Sequence, residues 1–448
     1  MKKKALIIPA SIKSHILPSF FLADMLSEDY EVTYAITNKV LEESVLKNGF
    51  KTQQISRYKV GYEFEEDFVK EKAEKATFFN IAKCFLSNDL YWNRKKEIDE
   101  LLEKVKPDIV ILDVYSTTDF IFINSHSTKP KVFFFNPMPS TYRVEGFPIV
   151  SETIWLNNDN SVHSEKKVKF LNFIKRSKEI FSKWVLEKQL HYLLRLGNIP
   201  EKHNIVENKF IKAFNNVPEL LLLPLEFEFS PKIKKNYQHY LGLCQRENRI
   251  DTELDSTFEE NWQHILDKKQ GGKKIIYCSF GTFFEIADPR LLDFINIVIN
   301  AIAGFTDIFL IFSVNKYVVQ AIQSEQKEFN NVMFFSRVPQ LKVLEIADLF
   351  ITHGGLGGVK ESISYQVPML VYPLDLNYDQ SGNALKVEHH GIGLRGNFKY
   401  EQIPYMRAKI NKLLKDKTYK NKIEELNSNI SKLYTPQYHK DLLNNILA

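Results

Sequence analysis

The chain has 448 residues. A single hydrophobic core usually organises a shorter chain, so this length predicts two or three domains. Hydrophobic residues make up 44% and charged residues 26% of the chain, a composition that is typical of a folded protein and excludes overall disorder. The 60 basic and 55 acidic residues leave a net charge of +5, a small excess that, without any nucleic-acid-binding motif, argues against a nucleic-acid partner.

Short apolar runs alternate with longer helical patterns through the first half of the chain. The runs are continuously apolar, which is typical of strands covered on both faces in a parallel sheet. Amphipathic stretches over 19–26 and 77–105 predict helices between them. The predicted strands are Ala5–Ile8, Val32–Ile36, Ile109–Leu112, Val132–Phe135 and Leu220–Leu223.

The stretch 139–216 has a different character, with aromatic residues and many lysines at helical spacing and no convincing strand. Amphipathic helices whose lysines extend over an apolar face are the favoured interpretation. A polar stretch, 226–240, follows soon afterwards and reads EFEFSPKIKKNYQHY. It predicts a boundary between two halves of the chain.

The second half repeats the alternation of strands and helices. Two such series predict two doubly wound α/β domains, in which ligands bind at the carboxyl ends of the strands. The longest apolar tract, 291–314, is broken by polar residues and predicts a helix followed by a strand. The predicted strands are Ile275–Ser279, Ile308–Phe312, Leu349–Thr352 and Met369–Tyr372.

Cysteine usage and the N-terminal sequence bear on the compartment. The three cysteines lie far apart without a CxxC motif, which favours buried thiols in a reducing compartment. The opening MKKKALIIPA resembles a signal peptide, but Lys13 and His15 interrupt any apolar core, so a first strand is favoured. We expect a cytoplasmic protein without a membrane span. The cysteines are Cys84, Cys244 and Cys278.

Two titratable residues follow predicted strands of the first half. His15 follows the first strand, shortly before a helix predicted to start near Pro18. A histidine there is placed for proton transfer near neutral pH, with helix capping as the alternative role. Asp113 ends the strand PDIVILD and can hold the tautomer of such a histidine, although it can also cap the next helix. Asp119 is the other candidate partner.

The most informative segment is 337–394. Its strand runs into two glycine pairs at 354–355 and 357–358, where backbone N–H groups and a helix N-terminus can bind an anion. Glu361, about one turn into that helix, can accept bonds from two vicinal hydroxyls, as on a ribose. Asp379-Gln380 follow the next strand and can bind further hydroxyls. These residues predict a site for a nucleoside diphosphate linked to a hydroxyl-rich group.

The ordered motifs of this segment resemble the family 1 glycosyltransferases, the UDP-glycosyltransferases with the GT-B fold. A lone HGG is a weak signal, whereas the ordered set is specific. The resemblance rests on Pro339-Gln340, the HGG of 353–355, Glu361 eight residues after His353, the Val-Pro-Met of 367–369, and Asp379-Gln380 with Asn383 nearby.

The resemblance implies an α/β GT-B fold, with two facing, Rossmann-like, doubly wound domains. The implied parts are an acceptor-binding domain over 1–225, a linker over 226–238, and a nucleotide-sugar-binding domain over 239–428. A C-terminal helix over 429–448 is expected to cross back and pack on the first domain.

The implied activity is inverting transfer of a hexose, expected to be glucose, from UDP-glucose to a hydroxyl of a small apolar acceptor, aromatic or polycyclic. His15 would be the general base, because Pro18 and the residues after it follow the family's register. Asp113 rather than Asp119 would be its partner, since the family carries an aspartate at this strand end. We expect no cofactor, no metal, and a monomer or weak dimer.

The resemblance also assigns residues to the nucleotide sugar. The Ser-Phe-Gly-Thr of 279–282 matches a turn beside the phosphates, while Gln340 and the backbone of Val338 are assigned to the base. The full set is Ser279, Gly281, Thr282, Arg337, Val338, Gln340, His353, Gly355, Gly357, Gly358, Glu361, Asp379 and Gln380.

Four departures from the family pattern leave the base and the sugar open. Arg337 stands where the family has a tryptophan that stacks on uracil, although a guanidinium can also stack. Leu-Gly-Gly at 356–358 replaces Trp-Asn-Ser, and Gln366 replaces a glycine. The gap before Asp379 is two residues longer, which makes Asp375 an alternative.

Three other functions fit the sequence less well. A non-catalytic nucleotide-sugar-binding protein would fit the departures from the family pattern at Arg337, Gly357 and Gly358. The presence of both His15 and Asp113 argues against this function. A lipid-intermediate glycosyltransferase of the same fold class would open with a glycine-rich loop, whereas 9–15 read PASIKSH. A dinucleotide oxidoreductase would need a glycine-rich fingerprint after its first strand, which is likewise absent from the sequence.

Overall fold

The computed structural model describes residues 2–72, 75–142, 146–151, 186–203, 205–206, 212–246, 249–281, 289–324, 331–376 and 378–447. They belong to two compact units, both discontinuous in sequence. The described residues within 1–136, 158–220 and 235–239 form the first unit, and those within 137–157, 221–234 and 240–447 form the second.

The first sheet has seven strands. They are β1 (Lys3–Ile8), β2 (Tyr30–Ile36), β3 (Lys51–Gln54), β4 (Ile109–Asp113), β5 (Lys131–Asn136), β8 (Glu219–Leu221) and β9 (Gln238–Tyr240). Two further strands, β6 (Ile205–Val206) and β7 (Ala213–Phe214), form a separate antiparallel pair. The spatial order is β3-β2-β1-β4-β5-β8-β9, with β1 to β5 parallel. The chain order reverses between β1 and β4, which is the switch point where ligands bind in such folds.

The helices of the first unit cover this sheet. The core on one face joins Leu6 and Leu112 of the strands to Ile98 and Leu102 of a long helix. The α-helices are Lys13–Leu26, Lys39–Lys47, Glu65–Glu71, Phe78–Ser87, Asp89–Val105 and Phe120–Ser125. Residues 186–196 are also helical. The 3₁₀ helices are Val114–Asp119 and Glu201–His203.

The second sheet has six parallel strands in the order β12-β11-β10-β13-β14-β15. They are β10 (Lys274–Ser279), β11 (Ile308–Ser313), β12 (Val332–Phe335), β13 (Leu349–Thr352), β14 (Met369–Val371) and β15 (Gly393–Arg395). Along β10, Ile275 and Tyr277 join one core cluster, whereas Ile276 and Cys278 join another. This two-sided burial explains the continuously apolar strands, and the switch point lies between β10 and β13.

Helices of the second unit cover both faces of that sheet. The α-helices are Phe258–Gln270, Pro289–Ile302, Lys316–Ser324, Gln340–Leu344, Leu356–Ser364, Gln380–His389, Ile403–Lys415, Lys417–Leu433 and Pro436–Leu447, and the 3₁₀ helices are Leu225–Phe227 and Pro231–Ile233. In the last helix, the Tyr438 hydroxyl donates to the Tyr240 carbonyl at 2.8 Å. Within the described ranges, no helix has the length and apolar character needed to cross a bilayer.

Segments from before β10 are built into the second unit. The buried Glu228 carboxylate accepts from the Ser140 N–H at 2.7 Å and pairs with the Lys386 ammonium at 3.3 Å. The side chains of Glu228 and Lys386 are 1% and 3% exposed. A Cβ on Gly382 would collide with the Val150 carbonyl, so this glycine permits close packing of residues 146–151 on helix Gln380–His389.

The predicted α/β, doubly wound architecture is confirmed, and the nine predicted strands are present with small shifts at their ends. The predictions missed β3, whose sequence KTQQ is polar, and β9, which lies in the predicted polar boundary. They missed β12 and β15 of the second sheet as well. They also missed the short pair β6 and β7 within 139–216, a stretch that lies largely outside the described residues. The domain boundaries and the course of the C-terminal helix stay predictions.

One helix start was also predicted wrongly. The helix that follows β1 begins at Lys13, not near Pro18, so His15 lies in its first turn and Pro18 lies inside it. The prediction relied on the preference of proline for the first helical turn. A proline beyond that turn removes one intrahelical hydrogen bond, and here the helix continues through it.

Candidate functional site

The structure brings His15 and Asp113 together at the switch point of the first sheet. His15 Nδ1 lies 2.8 Å from Oδ2 and 3.1 Å from Oδ1 of Asp113. His15 is 5% exposed and Asp113 is fully buried. With Nδ1–H donating to the carboxylate, the lone pair of Nε2 becomes the basic site of the imidazole. This arrangement suits a general base whose imidazolium form is stabilised by the neighbouring carboxylate.

The turn after β4 orients this pair. Asp113 Oδ1 accepts from the Tyr115 N–H at 2.9 Å, so Asp113 caps the 3₁₀ helix and contacts His15 at the same time. The Tyr115 ring packs on the imidazole, with centroids 5.0 Å apart. Lys59 Nζ donates to Ser116 Oγ at 2.6 Å and to the Tyr115 carbonyl at 3.1 Å, and burial lowers the pKa of Lys59 to about 8.

The structure gives Asp119 a different partner. Arg94 donates to it through Nε at 2.9 Å and through Nη2 at 2.6 Å, a two-bond ion pair. The side chains of Arg94 and Asp119 are 1% and 0% exposed. Sequence reasoning missed Arg94. The available signal was its position three residues after Tyr91 and four before Ile98, on the apolar face of a helix.

The second sheet brings several predicted nucleotide residues to its own switch point. Ser279 ends β10 and is paired with Thr352, the residue before His353. A Cβ on Gly281, which has φ +61°, would lie 3.0 Å from the His353 ring, and one on Gly355 would lie 2.6 Å from it. The glycines therefore let the imidazole fit between two turns. Thr282 lies outside the described residues.

Glu361 and Gln340, assigned to the ribose and the base, are hydrogen-bonded to each other. Gln340 Nε2 donates to Glu361 Oε2 at 2.5 Å, and Gln340 Oε1 accepts from the Tyr277 hydroxyl at 3.2 Å. The other carboxylate oxygen, Oε1, accepts from Arg249 Nη1 at 2.6 Å. Gly358 lies beside Gln340, since a Cβ there would be 3.7 Å from Nε2. Sequence reasoning did not single out Arg249, which stands in a charged loop without a motif.

The longer gap before Asp379-Gln380 does not separate them from the HGG turn. Asn383 Nδ2 donates to Asp379 Oδ2 at 2.9 Å and to the Gly354 carbonyl at 2.8 Å. Gln380 Oε1 accepts from the N–H groups of Leu374 and Asp375, which folds the extra residues back. Asp375 thus lies in the turn before Asp379, where its backbone N–H is bonded to the Gln380 side chain.

The remaining departures are explained in part. Arg337 pairs with Glu253 at 3.4 Å, next to the buried Val338. A Cβ on Gly357 would contact nothing within 4 Å, so packing does not require glycine there. Gln366 has φ +57°, the left-handed region that favours the glycine usual in the family. Over the described part of the chain, no group of three or more His, Cys, Asp or Glu side chains is arranged to hold a metal ion.

Two histidines of the second unit make its stability depend on pH. Burial lowers the pKa values of His353 and His390 from 6.5 to about 4. Between about pH 6.5 and pH 4 the unfolded chain binds protons that the folded chain does not, so stability falls as the pH drops through this range and levels off below it. We expect His390→Gln to lose less thermal stability than the wild type between pH 7 and pH 4.5.

Calorimetric unfolding at the two pH values measures this loss. His264→Gln is the matched control, because His264 is exposed. That variant should keep the full wild-type loss. An equal loss in His390→Gln and the wild type would contradict the role of His390.

Comparisons with known proteins agree with this geometry. The family model described as UDP-glucoronosyl and UDP-glucosyl transferase matches residues 219–436. An uncharacterized UDP-glucosyltransferase, YdhE of Bacillus subtilis (strain 168), is 25% identical over 236 residues, which are 52% of this chain and 54% of YdhE. The oleandomycin glycosyltransferase of Streptomyces antibioticus is 26% identical over 207 residues, 46% of this chain and 44% of that enzyme.

Among solved structures, that of the glycotransferase of kitacinnamycin superimposes with a TM-score of 0.66 at 18% identity and covers 100% of both chains. The chain spans about half the length of the curated relatives it matches. The family model, the relatives and the shared fold point to the same assignment as the motifs. Over residues 219–436 the chain is similar to the UDP-glycosyltransferases, and its fold is the GT-B fold.

Proposed function

We propose that the chain transfers a hexose, expected to be glucose, from UDP-glucose to a hydroxyl of a small apolar acceptor, with inversion. The observation that carries the proposal is the buried bond of 2.8 Å between His15 Nδ1 and Asp113. In the proposed reaction, His15 Nε2 takes the acceptor proton, and the acceptor oxygen forms a bond to the anomeric carbon. The bond from that carbon to the phosphate oxygen breaks, and UDP leaves.

The second unit would bind the donor and stabilise the leaving diphosphate. The N-terminus of helix Leu356–Ser364 directs backbone N–H groups and a partial positive charge at the turn that precedes it. His353 is neutral at pH 7, because burial lowers its pKa to about 4. It would therefore contribute a hydrogen bond rather than a charge. Glu361 would accept from the ribose hydroxyls, and Gln340 would bind the base.

The acceptor class is part of the proposal. A relative named for oleandomycin supports a small-molecule acceptor. In the family that the motifs resemble, the region that corresponds to 139–216 helps to line the acceptor pocket, so its aromatic residues suggest a flat, apolar acceptor. A cytoplasmic location and a monomeric or weakly dimeric state stay predictions.

A donor screen tests the proposal. The purified chain is incubated with nucleotide sugars and a simple phenol or flavonoid, and release of nucleoside diphosphate is followed. We expect release from UDP-glucose that increases when the acceptor is added. Binding of UDP-glucose without any transfer or hydrolysis would instead favour a non-catalytic nucleotide-sugar-binding protein.

Glu361→Ala tests the nucleotide site separately from turnover. Loss of a charged hydrogen-bond acceptor should weaken binding of UDP by about 1–3 kcal/mol. Titration calorimetry with UDP and dTDP measures the change. Glu424→Ala is the control, since Glu424 is an exposed residue of a surface ion pair in the same unit. Unchanged affinity for both nucleotides would remove Glu361 from the ribose role.

A further inference from the structure

We infer that Arg249 is a positioning residue of the nucleotide site, where it aligns the Glu361 carboxylate so that the site selects a ribose over a deoxyribose. This inference rests on the proposed function. The guanidinium contacts two carboxylates, through Nη1 to Glu361 at 2.6 Å and through Nε to Asp251 at 2.9 Å. The side chains of Arg249, Glu361 and Asp251 are only 13–14% exposed, so water screens these bonds weakly.

The contacts fix the orientation of the Glu361 carboxylate. Arg249 holds Oε1, whereas Gln340 holds Oε2 and is itself bonded to the Tyr277 hydroxyl. Rotation of the carboxylate would break two short hydrogen bonds at once, and one of them joins two charged groups.

A carboxylate held in this way keeps acceptor capacity on both oxygens. Each oxygen has two lone-pair positions, and Arg249 and Gln340 use one on each. One position per oxygen remains, which matches two neighbouring hydroxyl donors. A ribose supplies a 2′-hydroxyl and a 3′-hydroxyl, whereas a 2′-deoxyribose supplies one of them. A site with a fixed acceptor pair therefore discriminates between the two sugars, because the deoxy ligand leaves one largely buried acceptor unpaired.

The loop that carries Arg249 is anchored next to the position assigned to the base. Asp255 Oδ2 accepts from the Ser336 N–H at 2.7 Å and from Ser336 Oγ at 2.9 Å. The Asp255 N–H donates to the Arg337 carbonyl at 2.9 Å, and Glu253 pairs with the Arg337 side chain. These bonds attach the loop at a second point, in addition to the contact between Arg249 and Glu361. The loop therefore fixes the position of Arg249.

The test compares UDP with 2′-deoxy-UDP, which have the same base and phosphates. Calorimetry gives both affinities for the wild type, Arg249→Met, Arg249→Lys and Glu361→Gln. We expect the wild type to prefer UDP about 10- to 100-fold, the scale of one lost hydrogen bond to a charged group. Arg249→Met should reduce the preference to about that of Glu361→Gln. Arg249→Lys should give an intermediate value, because an ammonium cannot bond two carboxylates in the fixed geometry of a guanidinium.

Arg395→Met is the matched control, since Arg395 forms an Arg–Glu pair with Glu388 in the same unit. It should leave the UDP preference unchanged. Arg249→Met is first checked for folding by its thermal transition, and Arg249→Lys carries the comparison if that variant is unfolded. The UDP preference is the ratio of the affinities for UDP and 2′-deoxy-UDP. A purely structural role of Arg249 would lower both affinities alike and leave this ratio unchanged.

The outcomes separate this inference from the proposed function. A wild type that binds UDP but has no ribose preference overturns the inference alone. A preference that persists in both Arg249 variants does the same. A wild type that binds no nucleoside diphosphate overturns the proposed function, and the inference with it.

Discussion

His15→Ala should lower turnover about 10²- to 10⁴-fold, the usual contribution of a general base. In the proposed mechanism, the buried bond from Nδ1 to Asp113 leaves Nε2 to take the acceptor proton, and alanine would remove that function. UDP affinity should change little, because the residues assigned to the nucleotide belong to the second unit. Initial rates of UDP release with a phenol or flavonoid acceptor, and calorimetry with UDP, measure the two effects.

Asp113→Asn should also lose turnover, since an amide cannot stabilise an imidazolium as a carboxylate does. The double variant should be little worse than His15→Ala, because the two residues act as a unit. His126→Ala is a matched control, as His126 is another buried histidine of the same unit. Near-normal turnover of His15→Ala would overturn the mechanism whatever the fold.

Arg94→Met should destabilise the first unit by about 3–5 kcal/mol, the cost of leaving a buried charge without its partner. The charge is that of Asp119, which is fully buried and accepts two bonds from the guanidinium. Urea unfolding followed by circular dichroism measures the change. The double variant Arg94→Met, Asp119→Asn should lose less than the sum of the single variants, because the two residues are in contact.

Arg57→Met is the control for this prediction. Arg57 pairs with Asp67 at 3.1 Å, but the two side chains are 57% and 46% exposed. Such surface pairs contribute roughly 0–1 kcal/mol. If Arg94→Met and Arg57→Met cost equal free energies of unfolding, the buried pair would not be a major stabilising interaction.

The strands and the strand-end residues were predictable because they depend on local sequence. Strands β10 and β13 are continuously apolar, since both faces of the second sheet are covered. His15 and Asp113 could be placed near each other, since parallel strands on either side of a switch point end at the same edge. A strand such as β3 has no apolar pattern, and its neighbours in the sheet determine its structure instead.

The partners of buried charges were beyond the sequence. Arg94 and Asp119 are 25 residues apart, and Arg249 and Glu361 are 112 residues apart, so no local pattern links them. The resemblance already favoured Asp113 over Asp119 as the partner of His15, whereas the pairing of Asp119 with Arg94 was not predicted. Gln366 shows the opposite case. Its side chain departs from the family, but its backbone has the left-handed conformation that favours the family's glycine.

The discontinuity of the second unit determines which fragments of the chain can fold. A fragment that begins at Tyr240 would lack Glu228, and the Lys386 ammonium would lose its carboxylate partner in a buried position. It would also lack residues 146–151, which cover the backbone at Gly382. We therefore expect that the second unit does not fold on its own when it is cut at Tyr240. A fragment designed for isotope labelling or for exchange between relatives should begin no later than Leu221 and should include the segment 137–151 on a second peptide or a fused linker.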